Sequence, residues 1–174
     1  MAVALDDPTA VERALSDWIA TRLAVDGTPL RGPVRVELHG TPASGNSNVT
    51  VPLTASWNGT AEELVLRMQT ATNQIFLDAD VLREARVLDG LAHWPTVPAP
   101  RVRWTEADPA VLGHPFFLME RVPGTVPHGM PSIHVDGWLP RLGSVQRAAA
   151  WHTAMDALAA VHAVDWRAHH GFLA

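Results

Sequence analysis

The apolar positions of the chain follow two different periods, and glycine- and proline-rich breaks separate them. Val11, Leu15, Trp18, Ile19 and Leu23 recur at helical spacing, which predicts an amphipathic helix over residues 9–25. Thr9 and Glu12 open it in the Thr-x-x-Glu order of a capping box. "DGTPLRGP" ends that helix, and "VRVELHG" then alternates as a strand does, with Val34, Val36 and Leu38 on one face. "TPASGNSN" is rich in turn residues and has almost nothing to bury. "VTVPLTASW" and "EELVLRM" read as two further strands, joined by Asn58-Gly59, the usual dipeptide of a tight hairpin.

A second helix is expected over residues 77–91, where Leu77, Val81, Leu88 and Leu91 share a stripe and Gly90 lies near the end. "PTVPAPRVRW" is punctuated by proline and then extended, and "GHPFFLMERVPG" is a strand that runs into a Pro-Gly turn. The irregular stretch "TVPHGMPSIHVDGWLP" leads to a third helix over 144–164, with Trp151, Met155, Leu158 and His162 on one face. Strands joined by hairpins make an antiparallel sheet, and a helix inserted between them packs on it. The expected class is α+β.

Two charged residues interrupt the apolar pattern, and they carry the chemistry. Alternation in the third strand puts Leu64, Leu66 and Met68 on one face and Val65 with Arg67 on the other. Glu84 sits in the middle of the apolar stripe of the second helix. A carboxylate on a core-facing stripe is costly without a partner, and arginine keeps its charge and seeks an anion. Arg67 and Glu84 are therefore expected to pair. A guanidinium held by a carboxylate is a fixed positive charge suited to phosphate.

Two backbone features could complete such a site. The small residues Ser44, Gly45, Asn46, Ser47 and Asn48 let N–H groups converge on an anion. The strand end at Met119 and Glu120, running to Val122, can offer one carbonyl and one N–H to a flat heterocycle.

Composition narrows the classes. A net charge of -5 without a basic tract argues against nucleic acid as a partner. All 13 basic residues are arginine, so catalysis by lysine is excluded, and the absence of cysteine removes thiol chemistry and disulfides. No Gly-x-Ser-x-Gly elbow is present, and the nine histidines show no metal-binding spacing. No stretch is apolar enough for a membrane span, and "MAVALDDPTA" lacks the pattern of a secretory signal. A cytoplasmic protein without a membrane partner is expected.

The serine-glycine loop, the strand with Arg67, Glu84 within "REARVL", and "VPAPRVRW" followed by "VLGHPFFLMERVPG" together resemble the N-terminal lobe of the aminoglycoside-phosphotransferase-like small-molecule kinases. "ALAAVHAVDW" resembles the helix that follows the hinge in that family. The resemblance implies a protein-kinase-like lobe at 31–124, preceded by a helix and connection at 1–30. A post-hinge loop and the first helix of a C-lobe would occupy 125–174. It also implies ATP or GTP with Mg²⁺ as cofactor and a small hydroxylated acceptor. Residues Ser44, Gly45, Asn46, Ser47 and Asn48 would form the phosphate loop. Arg67 would stand where the family has a lysine on the α- and β-phosphates, with Glu84 as its helix partner. Val65 would line the adenine pocket, Glu120 with Val122 would bond the base, and Met119 would belong to the same cofactor-binding segment.

The family's catalytic His-Gly-Asp loop and metal-binding Asp are missing, and "HHGF" at 169–172 is the only near match. No catalytic residue or metal ligand is therefore assigned, and the expectation is a nucleotide-binding lobe separated from its catalytic loop. The rival reading is a non-catalytic nucleotide-binding or protein-interaction module. In either case the apolar face at 151–162 invites self-association.

Overall fold

The computed structural model describes residues 7–40, 48–69, 80–126 and 132–174. It contains α1 (Pro8–Val25), β1 (Arg35–Leu38), β2 (Asn48–Trp57), β3 (Thr60–Gln69), α2 (Val81–Leu91), β4 (Val102–Glu106) and β5 (Phe116–Glu120). A short 3-10 turn then precedes α3 (Ser144–His162) and α4 (Trp166–His170). The α+β class is as expected. The five strands form one antiparallel sheet in the order β1-β2-β3-β5-β4.

The hairpin sets the register of the sheet. Asn58 and Gly59 both have positive φ, 50° and 80°, the backbone of a two-residue turn whose twist matches the strands it joins. Trp57 therefore faces Thr60, and every later pair is fixed by counting, including Thr50 with Arg67 and Asn48 with Gln69.

Both faces of the sheet are covered. On one face, Val49, Val51, Leu53, Leu64, Leu66, Met68, Phe116 and Leu118 are buried together with Val11, Leu15, Trp18, Ile19 and Leu23 of α1. All five residues of the expected α1 stripe are thus in the core. Each such side chain stabilises the fold by roughly 1.5–3 kcal/mol relative to exposure. On the other face Val81 and Ala85 of α2 pack against Phe117, with Val102 and Met119 alongside. Val102 and Trp104 are two apart yet join opposite cores, because a register irregularity between them turns the strand over.

The capping of α1 differs from expectation. Asp7, not Thr9, is the N-cap: its Oδ1 accepts from the Ala10 N–H at 3.1 Å, and Pro8 follows in the first turn. Proline is pre-set for that position and lacks an N–H that would go unbonded there. Charged contacts lock α1 to β4. Glu106 accepts from the Trp18 indole and from Arg22, both at 2.6 Å. Burial pushes the Glu106 carboxyl up, but the Asp108 N–H, Trp18 and Arg22 together outweigh it and hold the group below the usual carboxylate range.

The chain divides into two compact units. The first comprises Met1–Asp89 with Pro100–Arg121, and the second Gly90–Ala99 with Val122–Ala174. In the second, His170 is buried and packs on Gly90, where a Cβ would lie 2.5 Å from its Nε2. Gly90 thus lies inside α2 as the seat of an imidazole, beyond its expected part near the helix end. The neighbouring His169 stacks on His93 with ring centres 4.2 Å apart. Within "HHGF", His169 and His170 close α4 and Gly171 begins a short 3-10 turn. Along α3, Trp151, Met155, Leu158 and Val161 are exposed.

Candidate functional site

Period two places Arg67 and Val65 on the α2 face of the sheet, and Glu84 sits in the first turn of α2 above it. Asp80 precedes that turn and accepts from the N–H groups of Leu82 and Arg83 at 2.9 and 3.0 Å. This caps the helix and fixes its start. The expected start at 77 falls among residues 70–79, which lie outside the described residues, as does Leu77.

Arg67 and Glu84 meet. The Arg67 Nε lies 2.9 Å from Glu84 Oε1 and donates to Oε2 at 3.2 Å. Arg67 Nη1 donates to the Thr50 hydroxyl at 2.8 Å, and Asn48 Nδ2 donates to Glu84 Oε2 at 3.3 Å. The side chains of Arg67 and Glu84 keep 26% and 36% of their exposure, so the pair is partly open to solvent and reachable by a ligand. Among the described residues Nη2 of Arg67 has no hydrogen-bond acceptor, leaving donors for an anion.

Thr50 was not among the expected site residues. The signal was present, because counting back from Asn58-Gly59 sets Thr50 opposite Arg67. The bond from Asn48 to Glu84 carries no such signal, since it joins a strand to a helix 36 positions away.

The other expected residues are placed as follows. Ser44, Gly45, Asn46 and Ser47 lie outside the described residues. Val65 pairs with Met119 across β3 and β5, on the same sheet face as Arg67, and both are half-buried. The Glu120 N–H is taken by the Arg101 carbonyl at 2.9 Å and the Arg121 N–H by the Glu63 carbonyl at 3.1 Å. The Glu120 N–H is therefore already bonded to the chain itself. Val122 is the first residue past the sheet bonding, is 60% exposed, and belongs to the second unit. Among the described residues no group of three or more His, Asp or Glu side chains could hold a metal ion, and no helix is long and apolar enough to cross a membrane.

Comparison with known proteins gives this geometry a context. The crystal structure of a candidate aminoglycoside phosphotransferase from Ralstonia eutropha JMP134 matches with a TM-score of 0.60 and 27% identity, over 91% of this chain and 40% of that one. Its protein-kinase-like architecture is the fold seen here. A probable acyl-CoA dehydrogenase of Arabidopsis thaliana, IBR3, is 31% identical over 121 residues, 70% of this chain and 14% of that protein. Acyl-CoA dehydrogenase family member 10 of Mus musculus is 32% identical over 106 residues, 61% of this chain and 9% of that protein. The chain thus spans less than half of the solved relative and a small part of the two longer proteins. The model of the phosphotransferase enzyme family matches residues 40–174, and the chain belongs to that family.

Proposed function

We propose that the sheet, α2 and the end of β5 form the nucleotide-binding part of a kinase that phosphorylates a hydroxyl of a small molecule. The observation that carries this reading is the orientation of Arg67, whose Nε is held by Glu84 at 2.9 Å and whose Nη1 is held by Thr50 at 2.8 Å. A guanidinium anchored on two sides presents its remaining N–H groups in a fixed plane, which suits phosphate oxygens.

The residues fit the two parts of Mg²⁺-ATP or Mg²⁺-GTP differently. Nη2 of Arg67 suits the phosphates. The Glu84 oxygens are committed to Arg67 and Asn48, so they do not suit the metal. Val65 and Met119 offer apolar surface to a base, and the Glu120 carbonyl would bond its edge. When bound, the nucleotide supplies the γ-phosphoryl group. Arg67 neutralises charge on the phosphates and orients them.

Titration calorimetry with ATP and with GTP, with and without Mg²⁺, tests this. Binding of either nucleotide is expected, and Arg67→Ala should weaken it by about tenfold or more, the loss of a charge-assisted contact. Arg67→Lys should recover only part, because an ammonium cannot bond Glu84, Thr50 and phosphate in one plane. Equal affinity in the wild type and Arg67→Ala would overturn the assignment.

A second reading, self-association, is favoured by the exposed stripe Trp151, Met155, Leu158 and Val161 on α3. It is compatible with the first.

A further inference from the structure

Asn48 opens β2 with only 8% of its surface exposed. One end of its amide is satisfied, through Nδ2 to Glu84 at 3.3 Å. The other end is not: Oδ1 is buried and, among the described residues, has no hydrogen-bond partner. Turning the amide over would set its oxygen against a carboxylate, so charge fixes the direction of the donor. A buried, unmet carbonyl costs stability, and an apolar residue here would avoid that cost.

What the amide does is hold Glu84. Glu84 Oε2 accepts from both Asn48 and Arg67, and Thr50, two residues along β2, takes Arg67 Nη1. The acid and the base of the ion pair thus each have a neutral second partner on one strand. A partly exposed pair without such partners would sample several rotamers.

We propose that Asn48 is a positioning residue, which fixes the Glu84 carboxylate so that the Arg67 guanidinium is presented to phosphate in one orientation. The inference rests on the phosphate reading of Arg67, and it gives Asn48 a task beyond its implied place in a phosphate loop. It also makes the residue a trade of stability for geometry, a pattern found at functional sites.

Asn48→Ala separates this from a structural role. Its melting temperature should stay level or rise, since the orphaned oxygen is gone. Exchange of the Arg67 Nε–H, followed by NMR without nucleotide, should quicken several-fold. Affinity for Mg²⁺-ATP or Mg²⁺-GTP should fall about tenfold, the size of one hydrogen bond to a charged group. Asn48→Asp keeps the size and sets a carboxylate against Glu84, so its loss of affinity should deepen as the new carboxyl ionises. This second variant decides the matter if Asn48→Ala folds poorly.

A lower melting temperature with unchanged Arg67 exchange and unchanged affinity would overturn the proposal. If the wild type binds neither nucleotide, the phosphate reading fails on its own. The Arg67 exchange rate then still decides whether Asn48 positions the pair.

Discussion

The Arg67 guanidinium on β3 and the Glu84 carboxylate on α2 stand 2.9 Å apart, and this contact ties the sheet to its inner helix through charge as well as packing. A double-mutant cycle with Arg67→Ala and Glu84→Ala should return a coupling of about 1 kcal/mol or less in urea unfolding, because both side chains are partly solvated. The same cycle read by nucleotide affinity should give a larger coupling. Equal couplings in the two measurements would make the pair purely structural.

Phe117 is fully buried in one cluster with Val81 and Ala85 of α2. Phe117→Ala should cost about 3–5 kcal/mol by cavity formation. Because the loss falls on the α2 face, amide hydrogen exchange should increase more in α2 than in α1. Equal increases in both helices would contradict the two-faced core.

Gly90→Ala should destabilise the chain, although alanine in a helix interior normally gains about 1 kcal/mol over glycine. The added Cβ would lie 2.5 Å from the buried His170 ring. Removing the ring as well, in Gly90→Ala/His170→Ala, should make the alanine at 90 neutral or favourable. Denaturant midpoints of the four proteins check the reversal of sign.

The Glu106 carboxyl is held below its ordinary value of 4.5. Its folded pKa is depressed, so its contribution is present above the unfolded value and disappears as pH falls through the folded one. Glu106→Gln should therefore cost stability at neutral pH and less in acid below that value. Unfolding free energies measured across this acid range should converge for the two proteins, and parallel curves would contradict the assignment.

The exposed α3 stripe predicts concentration-dependent association of the 174-residue chain. Trp151, at 62% exposure, is the largest side chain in it. Sedimentation should show oligomers that shrink towards monomer in Trp151→Glu, with little change in melting temperature. A monomer at high concentration in the wild type would remove self-association as a reading.

By itself the sequence determined the local elements and much of their pairing. Period two marked both faces of β3, Asn58-Gly59 set the hairpin register, and helical spacing put Glu84 on the inward stripe of α2. These are short-range consequences of backbone geometry, so a few neighbouring residues suffice to read them. Tertiary structure alone decided which helix covers which face, since both faces are apolar and either could accept α1. It also decided that Asn48 holds Glu84, that Asp7 caps α1, and that Gly90 seats His170. Those outcomes depend on distances between residues far apart in the chain, or on close competition between adjacent caps, and alternation patterns carry no information about either.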